Sequence, residues 1–211
     1  MSNLERPLTL DAAAAELLES IDASECDPEI METLQREAAR LSRRMRPPSP
    51  GISMEQRAYL VDSGAFTAEQ FAQTEQRVAR GELREDENRT RLGTVARSYG
   101  ERAAAARLGL EVDDLRMGQR AGALYSFDAS GVTAYPKWQF TDQTDDGLLP
   151  HLALVVTWLL EDWHPASVEG FMTTPKDSLI YRSELQTPIQ WLLRGADPRP
   201  IEQILEGARW R

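Results

Sequence analysis

The sequence predicts a mainly α protein: a helix-turn-helix with a small β-hairpin wing, an N-terminal helical hairpin, and a small helical C-terminal domain. Three observations carry this. Apolar residues recur at helical spacing through most of the 211-residue chain. A Pro-rich break, Arg46-Pro47-Pro48-Ser49-Pro50-Gly51, divides it near one quarter of its length. Residues 101–127, ERAAAARLGLEVDDLRMGQRAGALYSF, set a helix, a Gly-containing turn, a second helix and a strand in close succession.

Residues 1–46 read as the N-terminal hairpin. Leu10, Ala14, Leu17, Leu18 and Ile21 share one face of a helix over 8–22, capped by Thr9 or Asp11. A second helix starts after Asp27-Pro28, since Pro suits the first helical turn, and runs through Ile30, Leu34, Ala38 and Leu41 to Arg44. Arg36, Arg40, Arg43, Arg44 and Arg46 give this hairpin a basic end, which reads as a solvated face with cations near a helix C-terminus. Such a hairpin could serve dimerisation. Residues 47–91 follow as linker and helices, over Ser53–Val61 and Thr67–Arg80. Thr67 and Gln70 have the spacing of a capping box. Residues 82–90, ELREDENRT, are too polar for a core and read as a solvated helix end or loop.

Residues 92–140 form the helix-turn-helix unit with its wing. Leu92, Val95, Ala96 and Tyr99 make one helical stripe. Glu101–Leu108 is the next helix, Gly109 supplies a left-handed turn, and Val112–Ala121 is the third. Ala104 and Ala105 allow a close crossing, and Leu108, Leu110 and Leu115 bury the seam. A strand over Leu124–Phe127, a tip at Asp128-Ala129-Ser130-Gly131 and a return strand over Val132–Tyr135 make the wing, closed by Pro136-Lys137-Trp138-Gln139-Phe140. After the polar break Asp142–Gly147, residues 141–211 read as helical patches at Leu149–Leu160, Pro165–Met172, from Thr187-Pro188, and after Gly195-Ala196-Asp197-Pro198.

Composition narrows the function. The longest apolar run, Leu152–Leu160, is far short of the about 20 residues of a membrane span. A single cysteine, Cys26, excludes an internal disulfide and fits a cytoplasmic protein. The net charge of −10 argues against general nucleic-acid affinity, yet residues 101–140 carry five basic and five acidic side chains between acidic flanks. His151 and His164 are the only histidines, with no third ligand at metal spacing. No nucleophile elbow or Gly-rich phosphate loop occurs, so neither catalysis nor a cofactor is expected.

In the helix-turn-helix reading, the third helix turns Asp113, Asp114, Arg116, Met117, Gln119 and Arg120 toward a major groove. Arg116 and Arg120 would pair guanine and Gln119 adenine, while Arg97 and Arg102 would hold phosphates. Glu111, Asp113 and Asp114 favour the helix dipole but repel phosphate. The alternative is a helical hairpin that packs and touches no nucleic acid.

The order of motifs over 92–211 is similar to a bacterial family. The matching stretches are Ala104-Ala105-Arg107-Leu108-Gly109, Gly122-Ala123-Leu124-Tyr125, Pro136–Phe140, Leu149-Pro150-His151-Leu152, Glu161–Pro165, Val168–Pro175, Pro188–Leu193 and Gly195-Ala196-Asp197-Pro198. Together they resemble the Xre/MbcA/ParS-type antitoxins. The resemblance implies a RES-domain toxin that degrades NAD as partner, held by the C-terminal region, with operator DNA bound by the helix-turn-helix. The first 50 residues lie outside it. From the residues, the acidic C-terminal region carries Trp158, Trp163, Trp191 and Trp210, and Trp with Arg are frequent interface anchors. Trp191, Arg194, Arg199, Arg209, Trp210 and Arg211 are therefore the candidate partner-binding residues, although Trp158 and Trp191 also suit a core. The expected protein is a cytoplasmic homodimer that neutralises a toxin and represses its own operon. A plain transcriptional regulator and a non-DNA-binding adaptor are the alternatives.

Overall fold

A computed structural model describes residues 27–43, 53–64, 67, 69–74, 82–159 and 163–209. The helix expected at 8–22 and the tail residues Trp210 and Arg211 lie outside these. The described chain is mainly helical with two small antiparallel sheets.

Helix α1 (Pro28–Arg43) starts where Pro28 was expected to start it. Asp27 caps it, its carboxylate accepting the Glu29 N–H at 3.0 Å. Helix α2 (Met54–Asp62) is opened by a capping box of Ser53 and Gln56. The Thr67–Gln70 box also forms, with bonds of 3.0 and 3.1 Å. Helix α3 (Glu82–Ala96) takes in the polar stretch 82–90 as regular helix. It ends before Tyr99, which lies instead in strand β1 (Ser98–Tyr99), its ring edge-on to Phe140 at 5.3 Å.

Two short helices follow. α4 (Glu101–Leu108) closes on Gly109 at φ 67°, with the Leu110 N–H bonded to the Ala105 carbonyl at 2.9 Å. This is the six-to-one bond of a Schellman ending, which needs a left-handed residue and finds glycine there. α5 (Val112–Arg120) ends in the same way on Gly122, with the Ala123 N–H on the Gly118 carbonyl at 2.9 Å. Ala104, Ala105 and Leu115 are buried between the two helices. Leu110 is not: the Schellman turn swings it outward and leaves it 44% exposed.

Strands β2 (Phe127–Ala129) and β3 (Val132–Pro136) pair through the two-residue turn Ser130-Gly131, and β1 adds to the far edge of β3. Leu124–Ser126 were expected to extend β2. They do not, because the buried side-chain amide of Gln139 takes both backbone groups of Tyr125, accepting its N–H at 2.9 Å and donating to its carbonyl at 2.8 Å. A side chain thus occupies the place of a neighbouring strand.

The helix expected over Leu149–Leu160 is shorter, α6 (Leu152–Trp158). Leu149 is tied to the Gln139 carbonyl at 2.9 Å, and His151 stands at φ 60°, so helix cannot begin earlier. α7 (Pro165–Thr173) is capped by His164, whose Nδ1 accepts the Ala166 N–H. Between α7 and the next helix stands an antiparallel hairpin where only helical patches were expected: β4 (Lys176–Tyr181) and β5 (Glu184–Gln186). α8 (Pro188–Leu193) and α9 (Arg199–Arg209) complete the chain, α8 through a Thr187–Gln190 capping box.

Two apolar clusters result. In the smaller, Ile30 and Leu34 of α1 meet Leu92, Val95 and Ala96 of α3 beneath Ala129 and Ala134 of the hairpin. The larger joins Ala104, Ala105, Leu115 and Tyr135 to Leu152, Val155, Met172, Leu192, Ile201 and Leu205. The α4–α5 pair therefore rests on the same core as the C-terminal helices. A polar seam binds α1 to α3: Glu37, fully buried, pairs with Arg40 at 2.9 Å and Arg91 at 3.4 Å. Among the described residues, no helix is long and apolar enough to cross a membrane.

Candidate nucleic-acid interface

The outward face of α5 is the surface the sequence singles out. Leu115 anchors the helix and is fully buried, while Asp113, Asp114, Arg116, Met117 and Arg120 are exposed. Met117, at 62% exposure, stands at the centre of that face. Gln119 does not join it. It follows Leu115 by one helical turn, so it faces the seam and is half-buried, out of the position for an adenine contact.

The arginines divide by partner. Arg116 is clasped by Glu101, with Nη2 to Oε2 at 2.6 Å and Nε to Oε1 at 3.1 Å, and it reaches Asp113 at 3.3 Å. These carboxylates, Glu101 first, raise its already high pKa. Arg97, expected on phosphate, is turned back onto α7: its Nε meets Glu169 at 2.5 Å and its Nη2 meets the other oxygen at 3.1 Å. Glu169 also accepts the Thr94 hydroxyl at 2.6 Å, so this carboxylate ties α3 to α7. Arg107 pairs with Asp142. Arg102 and Arg120 are exposed and carry no ion pair among the described residues. Of the five predicted DNA contacts, two remain available, two are engaged by carboxylates and one is turned inward.

The entry to α4 is built tightly. The Gly100 N–H donates to the Asp27 carboxylate at 2.6 Å, the same carboxylate that caps α1. A Cβ at Gly100 would stand 2.5 Å from the Glu29 carboxylate, so a larger residue there would have to push that side chain aside. Behind α4, Tyr135 is fully buried on β3, and its hydroxyl makes no hydrogen bond among the described residues. Burial raises its pKa, Glu101 adds to that, and Arg116 opposes it.

The predicted partner residues sit on the opposite part of the chain. Trp191 is half-buried against the larger core, its indole N–H spent on the Asp197 carbonyl at 2.8 Å. Arg194 donates to Gln186 at 3.2 Å and covers the Tyr181 ring at 4.2 Å. Arg199 is exposed in the first turn of α9, its backbone N–H on the Asp197 carboxylate at 3.0 Å. Arg209 ends α9. The β4–β5 hairpin, which sequence reasoning missed, brings Ile180 and Leu185 to this side as an exposed cross-strand pair beside Tyr181. The Leu179-Ile180-Tyr181 run was a usable strand signal.

Among the described residues, no group of three His, Cys, Asp or Glu could hold a metal ion. No family model and no curated protein matches the chain. The NMR structure of Rv2175c is similar to it at 20% identity, over 53% of this chain and 77% of that one, with a TM-score of 0.37. A similarity that loose carries neither function nor partner across.

Proposed function

We propose that the chain is a DNA-binding regulator that reads a duplex with α5 and holds a protein partner through its C-terminal region. One observation carries the DNA half. Two short helices joined at the left-handed Gly109 present the outer face of the second to solvent, beside an antiparallel hairpin. We read this pair and hairpin as a helix-turn-helix with its wing, with Arg102 and Arg120, which carry no ion pair among the described residues, as its phosphate- and base-facing cations. The partner half rests on the resemblance to Xre/MbcA/ParS-type antitoxins. It gains support from an exposed apolar and Arg-bearing surface at Ile180, Tyr181, Leu185 and Arg194. The partner it implies is a RES-domain toxin that consumes NAD, and the assembly a homodimer that represses its own operon.

Electrophoretic shift of the DNA upstream of its gene tests the first half. Arg102→Ala with Arg120→Ala should weaken binding about tenfold or more. No shift by the wild type at low salt sinks it. Co-expression with a RES-domain protein encoded beside it tests the second, which fails if toxicity persists and no complex co-purifies. A second reading, an adaptor that has kept the helix pair without DNA binding, is favoured by one feature. Glu111, Asp113 and Asp114 are all exposed at the start of α5, where phosphate would lie.

A further inference from the structure

We infer that Glu101 is a positioning residue for base reading: it grips Arg116 from the side and leaves the end of the guanidinium to meet a guanine. This inference rests on the DNA-binding reading above and names the base that one position of α5 selects. A guanidinium holds five N–H donors in one plane. They form two forks, a side edge of Nε with Nη2 and an end edge of Nη1 with Nη2. Glu101 takes the side edge, Oε1 on Nε at 3.1 Å and Oε2 on Nη2 at 2.6 Å. Asp113 takes one hydrogen of Nη1 at 3.3 Å. Two hydrogens are left, one on each terminal nitrogen, and the O6 and N7 of guanine accept such a pair. The Arg116 side chain is 46% exposed against 20% for Glu101, so the arginine is the outward member of the pair.

The acid is itself held in place without the arginine. Glu101 is the first residue of α4, where its charge suits the helix N-terminus. The residue before it, Gly100, donates its N–H to the Asp27 carboxylate at 2.6 Å, and that carboxylate also caps α1. Ala104, Ala105 and Leu115, all buried, fix the crossing of α4 on α5, so the fork spans two helices at a set separation. An arginine held in this way gives up less rotamer freedom on meeting a base than a loose one does. Arg102 and Arg120 carry no ion pair among the described residues and lack that support. The Glu101 charge also repels phosphate. Removing it therefore acts in two opposite directions: tighter binding to DNA at large and a poorer choice of base.

The test is selection by the full chain from a library of duplexes with a randomised core, read by sequencing what is retained at low salt. The wild type should enrich guanine about tenfold at one position, and Arg116→Ala should abolish that preference alone. Glu101→Gln keeps the shape of the side chain but offers one acceptor in place of two, which makes it the variant least disruptive to folding. It and Glu101→Ala should reduce the guanine preference at that position to about twofold or less and leave the others unchanged. Both should also tighten binding to a mixed-sequence duplex about twofold, measured by fluorescence anisotropy. Asp113→Ala removes an equal charge beside Arg116 without touching the fork, and should tighten binding likewise while keeping the preference. Full guanine preference in the Glu101 variants overturns the inference, as does its equal loss in Asp113→Ala or a flattening of every position together. If the wild type selects a sequence that Arg116→Ala leaves unchanged, the inference fails and the DNA-binding reading stands. If the wild type retains no duplex at all, both fail.

Discussion

The two β-hairpins make the same turn from opposite chemistry. In β2–β3 the central residues Ser130 and Gly131 have φ 53° and 85°. In β4–β5 they are Arg182 and Ser183, at φ 49° and 67°. Both are two-residue turns with positive φ at each centre, the kind whose twist matches paired strands. The first meets the demand locally. Gly131 is at ease there, and its N–H rests on the Asp128 carboxylate at 3.1 and 3.3 Å. The second puts two side-chain-bearing residues into the left-handed region. What accompanies them is stacking, with Arg182 at 5.2 Å and Arg194 at 4.2 Å from the Tyr181 ring centre. The first hairpin buries Ala129 and Ala134 in a core; the second leaves Ile180 and Leu185 in solvent. One turn is specified by its own residues, the other is tolerated because its surroundings hold it.

The largest way to break this contrast is through what lies under the first turn. Glu37 is buried there. Burial pushes its carboxyl up, but the Ser130 hydroxyl, close by though outside hydrogen-bond geometry, acts with Arg91 and Arg40 to hold it below the usual carboxylate range. Glu37→Ala should cost about 2–4 kcal/mol by chemical denaturation, since it leaves two arginines facing an empty site. Glu184→Ala beside the second turn should cost less than about 0.5 kcal/mol. The same carboxylate fixes the acid response. Because its folded value is depressed, its contribution is present above the ordinary carboxylate range near about 4.3 and is lost as pH falls through the lower folded value. The stability curves of wild type and Glu37→Ala should therefore converge in acid, and parallel curves would refute the assignment.

A smaller effect is expected at the turns themselves. Gly131→Ala should destabilise by about 1–2 kcal/mol, because alanine is strained at this φ. Arg182→Asn with Ser183→Gly should do the reverse, stabilising by about 1 kcal/mol in the same denaturation assay. A loss there would show that the stacked arginine outweighs the backbone strain. Smallest of all, Ile180→Thr with Leu185→Thr should shift free-chain stability by less than about 0.5 kcal/mol, since both face solvent. A larger loss would mean that this face is packed in the free protein.

The contrast also explains what could be read from the sequence. The first hairpin was legible because Asp128-Ala129-Ser130-Gly131 announces its turn, and Gly109 and Gly122 announced the ends of α4 and α5 in the same manner. The Pro28 start of α1, the Thr67 box and the Thr187-Pro188 start of α8 were visible as local chemistry, while the Thr187–Gln190 box came from the structure. β4–β5 was hidden because Arg182-Ser183 carries no turn signal. The shortening of β2 and of α6 was hidden because both depend on Gln139, a residue whose neighbours are set by the tertiary fold. At the candidate site the arginines were visible but their partners were not. Glu169 lies 72 residues from Arg97 in sequence and Glu101 lies 15 from Arg116, separations at which no periodicity speaks.

Gly93 bears on how the chain can drift over evolutionary time. The Arg97 guanidinium on its way to Glu169 lies across Gly93, where a Cβ would stand 3.1 Å from Nη1. Gly93 on α3, Arg97 just past its end and Glu169 on α7 are thereby joined in one mechanical dependency. A methyl group at 93 would press on that guanidinium, which would have to give by a few tenths of an ångström while still holding the nearly buried Glu169, whose other partner is the Thr94 hydroxyl. Among aligned relatives, small residues should accordingly predominate at 93 wherever the charge pair between 97 and 169 is kept, and larger ones should appear where it has gone.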